Sequence, residues 1–314
     1  MQGDSSALVR VVGYDEAASD ATYRDAAEVL QSASGGRGRS RKDLFNHLVS
    51  RTPSASEQGS EDGSFVVVAR DGTSRNRIVG VAVAVKNGTV GWFGHIAVDE
   101  AYPVPQEPDP TSPWDLLEAK RIELLERRGV TTIHLFAQER LYAFDQRHGF
   151  QPDDLAFNVY RGAPSAALPP LPAGMELSAL SGSDLGALLA LDEQATGEHR
   201  GWLFDPALPN AWGVRDAGGK LLAYSYQFPH GIGPIVVASS DPAVARPLAL
   251  HLLSKREPGP VIAFAGGPAR GWLGNNGFAI EPGVQRWTRV KSGESATPTP
   301  QPDWIWNLFS LGIG

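Results

Sequence analysis

The sequence predicts a mixed α/β fold of the α+β kind, arranged as two similar domains in tandem with mostly antiparallel sheets. Three observations carry this. Apolar runs of strand length alternate with helical stretches, and their order recurs beyond a Pro/Ala-rich break at 163–174. Asn-Gly within "KNGT" marks a tight hairpin, the hallmark of antiparallel pairing.

Residues 8–12 (LVRVV) read as a strand. Residues 20–33 and 41–50 have helical spacing, with Leu44, Leu48 and Val49 apolar on the second. Between them, "SGGRGRSRK" is a basic connector. "SFVVVAR" and "RIVGVAVAVKNGTVGWFGHIAV" supply the hairpin strands, and Asn-Gly predicts a type I′ turn. "DLLEAKRIELLERRG" predicts an amphipathic helix with Leu116, Leu117, Ile122, Leu124 and Leu125 largely on one side and Gly129 as its stop. "VTTIHLFA" reads as a buried strand, "RLYAFDQRHGF" as a helix ending at Gly149, and "LAFNVYRG" as the strand closing a first domain, 1–162. After the linker 163–174, a second domain (175–290) repeats the order in shortened form. It has a strand at 175–180, helices over 183–195, and strands around "AWGVRD", "LLAYSYQF" and "GPIVVAS". A helix at 242–254, the strand "PVIAFAG", a helix ending at "GNNGF" and the strand "VQRWTRV" complete it. A Pro/Ser/Thr spacer (291–303) leads to a hydrophobic C-terminal peptide, 304–314.

Composition narrows the function. With 42% apolar residues among 314, the chain can bury a sizeable core, and its net charge of −7 argues against nucleic-acid or anionic-membrane partners. It has no cysteine, which excludes disulfides and thiolate chemistry. Its start lacks the charged and apolar regions of a signal peptide, and no apolar run is long enough to span a bilayer, so a cytoplasmic location is expected. The histidines show no metal-ligand spacing, so no metal is expected.

Three stretches carry a family resemblance: "GWFGHIAVDEAY", "LLEAKRIELLERRGVTTIHLFA" and "QERLYAFDQRHGF". They resemble the fourth strand, the following helix and strand, and the C-terminal signature of the GNAT (GCN5-related N-acetyltransferase) superfamily. The likeness covers 8–162 well. It is weaker beyond, resting on "ALDEQATGEHR", "GPIVVASSDPAVARPLALHLL" and "GGPARGWLGNNGF", which look like the degenerate second half of tandem members. The resemblance implies two GNAT-like domains and acyl transfer from acetyl-CoA. The cofactor's arm would lie along Ile96, Ala97 and Val98, and its pyrophosphate would sit in a Gly-rich loop capping the next helix, where amides converge.

That loop is missing. "PVPQEPDPTSPWDLLEAK" has prolines that lack amide donors, and Glu107, Asp109 and Asp115 add negative charge where a pyrophosphate would sit, with no arginine or lysine between Tyr102 and Asp115 to offset them. The family's acid, a tyrosine, aligns with Asp145, and Tyr142 lies on roughly the same helical side. His95 beside Asp99 reads either as a general base or as a strand histidine without duty. The second half has no glycine after "GPIVV" and aligns Trp272-Leu273 with the signature's aromatic pair. "GRGR" (36–39) precedes the sheet and cannot cap the helix after strand four. "DEQATGEHR" (192–200) reads as an acceptor edge or as a helix end with surface ion pairs. Trp92, Phe93, Trp202, Phe204 and Trp212 could line a groove or belong to the core.

Attention then falls on Trp304, Ile305, Trp306, Asn307, Leu308, Phe309, Ser310, Leu311, Gly312, Ile313 and Gly314. "TPTPQP" before them favours extended polyproline II, a spacer that would hold the tail away from the body as a flexible C-terminal segment. The tail resembles the core peptides of borosin-type precursors, whose backbone amides are N-methylated by a partner methyltransferase. The leading expectation is a catalytically degenerate GNAT-like scaffold presenting this peptide as substrate. The alternatives are an acetyl-CoA-dependent N-acyltransferase and a binding module whose tail docks on the body, on a partner or on a second copy in a homodimer.

Overall fold

In the computed structural model of the chain, the described residues are 9–13, 29, 62–72, 77–162, 168–228, 233–256, 261–264, 273–275 and 277–308. The expected helices at 20–33 and 41–50 and the "GRGR" stretch therefore lie outside them, Val29 excepted. The chain divides into two compact units: 1–134 with 139–151 and 289–295, and 135–138 with 152–288 and 296–314. This division does not follow the Pro/Ala break.

In the first unit β1 (Val9–Gly13), β2 (Gly63–Asp71), β3 (Arg77–Asn87) and β4 (Val90–Val98) pair antiparallel in sequence order. β2 and β3 are buried over Val66–Ala69 and Val79–Val85 without alternation, because both faces of these strands are covered. The β3–β4 hairpin pairs Asn87 with Val90, so the two turn residues are Gly88 and Thr89. Gly88 alone is left-handed, at φ 68°, which is the II′ arrangement and corrects the expected I′ turn. A crossover helix, α1 (Pro113–Arg127), returns the chain so that β5 (Thr132–Ala137) runs parallel to β4. The short α2 (Tyr142–Arg147) follows.

The buried stripe of α1 is Trp114, Leu117, Glu118, Arg121, Leu124 and Leu125. Leu116 and Ile122, expected within it, are only half-buried. The stripe keeps helical spacing but passes through two charged residues, Glu118 and Arg121, which pair with each other.

The end of β5 from Leu135, β6 (Gln151–Arg161) from Pro152, β7 (Glu176–Ala179), α3 (Leu185–Thr196), β8 (Ala211–Arg215), β9 (Leu221–Tyr226), β10 (Ile235–Val237), α4 (Pro242–Ser254), β11 (Val261–Phe264), β12 (Ala279–Val290) as far as Thr288, and β13 (Ile305–Asn307) belong to the second unit. One sheet runs β13-β10-β9-β8-β7; elsewhere β6 lies between β12 and β11. β6 pairs antiparallel with β11 from Tyr160↔Val261 to Phe157↔Phe264. Such pairing joins residues distant along the chain, so a linker's composition cannot reveal it. Tyr160, Ile235, Leu248, Leu252, Val261 and Trp306 belong to one apolar core. No described helix is long and apolar enough to cross a membrane.

Candidate functional site

In the first unit the parallel pairing of β4 with β5 covers only Val90↔Thr132, Gly91↔Ile133 and Trp92↔His134. Against β3, the register shifts between Ala82, opposite Ile96, and Ala84, opposite Phe93. This inserts one extra residue into β4, a bulge at Gly94-His95. Gly94, His95 and Ile96 are half-buried in a strand that is otherwise mostly closed off. Ala97 and Val98, expected to share a cofactor edge with Ile96, are buried. β4 therefore opens at its middle.

The ground behind that opening is charged. Arg121 donates to the carbonyls of Val83 (3.2 Å) and Gly94 (3.4 Å), and its guanidinium lies 3.9 Å from the centroid of the Phe93 ring. It forms a buried ion pair with Glu118, one turn earlier on α1. Asp145 of α2 is buried as well. Desolvation, reinforced by the negative charge of Glu118 and opposed by Arg121, pushes its carboxyl up to about 8. Of the three predicted catalytic residues, Asp145 thus joins a buried charge cluster, whereas Tyr142 stands half-buried at the start of α2 and His95 half-buried at the bulge. Asp99 binds Arg77 (3.0 Å) and the Ala101 amide (3.0 Å). Glu118 and Arg121 were missed because their spacing only extends the apolar stripe of the helix.

The N-terminus of α1 is sealed by its own residues. Ser112 caps it, accepting from the Trp114 amide, and Pro113 has no amide to offer. Asp115 sits in the first turn. It accepts from Arg147 Nη2 at 3.0 and 3.1 Å and from Arg147 Nε at 3.2 Å, and lies 2.7 Å from His148 Nε2. Arg147 also donates to Pro105 O at 2.8 Å, and Trp114 Nε1 donates to Tyr102 O at 2.9 Å. The sequence showed no cation to offset these acids; for Asp115 the structure supplies one from the far end of α2.

The second unit buries another ion pair. Arg200 donates to Asp192 through Nε (2.9 Å) and Nη2 (2.6 Å), and the Tyr224 hydroxyl donates to the same carboxylate. Burial, then Asp192, holds the Tyr224 hydroxyl well above its ordinary pKa, so it remains a donor. The "DEQATGEHR" segment thus splits: Glu193 and His199 pair on the surface, as a helix end would, while Asp192, Glu198 and Arg200 are interior. Among the aromatics, Trp92, Phe93 and Phe204 are core; Trp202 and Trp212 are half-buried. Asp241 caps α4 by accepting from the Ala243 amide at 2.9 Å, with Pro242 next in line.

The tail is the largest departure from expectation. Much of the spacer is exposed, while beyond it Ile305, Trp306, Asn307 and Leu308 are buried. β13 pairs antiparallel with β10 through Ile235↔Asn307 and Val236↔Ile305. The Leu308 amide donates to Ile262 O of β11 at 3.0 Å. Through Leu308 the peptide is docked inside the second unit; Phe309–Gly314 lie outside the described residues.

No family profile matches the sequence, and no curated protein resembles it significantly. Solved structures do. A protein from Pyrococcus horikoshii assigned as an acetyltransferase superposes with a TM-score of 0.70 at 14% identity, over 98% of this chain and 96% of its own. A GCN5-related N-acetyltransferase from Sphaerobacter thermophilus gives 0.58 at 14% identity, over 90% and 96%. The chain has the GNAT fold. A GCN5-related glucosamine N-acetyltransferase region of a fungal multi-domain β-N-acetylglucosaminidase gives 0.59 at 14% identity, covering 90% of this chain and 38% of that one.

The GNAT fold implies acetyl-CoA, so its fit can be examined at both helix N-termini. At α1 the place for a pyrophosphate holds Pro113 and the Asp115 carboxylate; at α4 it holds Pro242 and the Asp241 carboxylate. Pro113 and Pro242 have no amide to offer, the Trp114 and Ala243 amides are taken by the Ser112 and Asp241 side chains, and each end carries a carboxylate. The open middle of β4 suits an extended arm, but the phosphate positions do not fit the cofactor.

Proposed function

We propose that this chain is a GNAT-fold binding protein that does not transfer acyl groups from CoA. The observation that supports this best is the Asp115–Arg147 closure at the N-terminus of α1. An anion placed there would meet a carboxylate already satisfied by a guanidinium and an imidazole, and like charges at contact distance repel. Calorimetric titration of the full chain with acetyl-CoA tests the reading. No heat at millimolar cofactor is the expected result, and saturable binding would overturn it.

Acyl transfer from a thioester is the second reading. It is favoured by the names of the structural neighbours and by the open stretch at Gly94–Ile96. On this reading the same titration gives binding, and an amine acceptor gains an acetyl mass. The expectation that the tail is a substrate for a partner methyltransferase finds no support in the neighbours. Burial of Ile305–Leu308 also weighs against it, because methylation there requires the strand to be withdrawn first.

A further inference from the structure

The two units repeat one strand–helix–strand segment, and they treat its inner edge differently. In the first, β4 and β5 flank α1 and pair with each other directly at their starts. In the second, β10 and β11 flank α4, but β10 pairs with β13 on that side, and β11 bonds to the residues that end β13. The first unit shows that the segment closes without a third strand. β13 is therefore an insertion into the second unit.

The way β13 is held is specific to its side chains. Only two residue pairs match β10, with a register break between Ile235 and Val236, so the backbone ladder is short. Asn307 makes up the difference. Its fully buried carboxamide accepts from the Ile262 amide at 2.5 Å on one side and donates to Gly233 O on the other. Trp306 is the apolar anchor, 1% exposed within the core of the second unit.

We propose that the β10–β11 slot is a peptide-binding site that takes an extended apolar strand bearing Trp-Asn, and that the chain's own C-terminal strand is its resident ligand. Recognition is by strand addition: backbone bonds supply adhesion, Trp306 fills the pocket and Asn307 reads the register. The exposed spacer 291–303 acts as the tether that keeps the ligand at high local concentration. This does not depend on the reading given for the first unit, since acetyl-CoA binding tests that reading and peptide exchange tests this one.

The experiment keeps the full chain and places a protease recognition sequence between Ser295 and Ala296, which are both exposed. After folding and cleavage, a fluorescent peptide of sequence QPDWIWNL, matching 301–308, is added in excess. Circular dichroism and sedimentation follow the body. The expected result is a folded body that exchanges its tail for the labelled peptide, one per chain. Uncleaved protein should bind the label about 100-fold more weakly, because its slot is filled at an effective concentration on the order of millimolar. A peptide with alanine at the Asn307 position should bind about tenfold more weakly or worse. If cleavage unfolds the body, or the folded body never takes up the peptide, the strand is an ordinary part of the fold and the proposal fails.

Discussion

Asp145 holds its proton at neutral pH because its carboxyl is buried beside Glu118, which lifts it from the ordinary 3.8 to about 8. The native state thus keeps a proton over a range in which the unfolded chain has lost it. This contribution to stability is complete below the unfolded value and disappears as pH rises through 8. Replacing Asp145 by Asn should flatten the fall in stability between pH 5 and 8 by up to about 4 kcal/mol, read from urea midpoints at the two pH values. An unchanged slope would mean that another group carries the proton. Arg200 offers a contrasting case, since its bidentate bond pairs it directly with the buried Asp192 carboxylate. Arg200→Ala strands that carboxylate with only the Tyr224 hydroxyl, at a cost of about 3–5 kcal/mol in chemical denaturation. A loss below about 1 kcal/mol would show that water reaches the site, as at a surface pair.

Elements differ in how much they depend on such points. β13 is short, but Trp306 is among the largest fully buried side chains in the chain. Trp306→Ala should cost roughly 3–5 kcal/mol, whereas a tail held off the body would tolerate it without effect. The loop leading into β10 is equally restrictive. A Cβ on Gly233 would stand 1.9 Å from the carbonyl oxygen of Tyr226, a backbone atom that cannot turn aside. Gly233→Ala should therefore destabilise by about 3 kcal/mol or more and disturb the carbonyl that receives Asn307. Thermal melting of the second unit's fluorescence checks both variants. α1 tells a related story: its helical period was legible from apolar spacing, but the Glu118–Arg121 pair inside the buried stripe was not, because their neighbours come from β3, β4 and α2.

At the scale of the whole molecule, acetyl-CoA at millimolar concentration should leave the melting temperature of the full chain unchanged within about 1 °C, since a ligand stabilises only the state it binds. Strand-length apolar runs, the turn glycine and the glycines that stop helices at Gly129 and Gly149 are all local features, and they were enough to place the GNAT order of elements. Backbone conformation and apolar period depend on near neighbours, which is why they could be read from the chain alone. The fate of charges and of the tail was of another kind. Asp115 lacked a cation within its own segment and found Arg147 one helix later. "TPTPQP" suggested an extended spacer but said nothing about where the strand after it would end, and the Gln301 amide donates to Ala195 O of α3 at 3.1 Å. The strand's place depended on a slot between β10 and β11, on the hydrogen bonds that the Asn307 carboxamide makes with the Ile262 amide and the Gly233 carbonyl, and on a pocket for Trp306, all assembled from residues far apart in sequence. Long-range burial brings such groups together, and no local pattern encodes it.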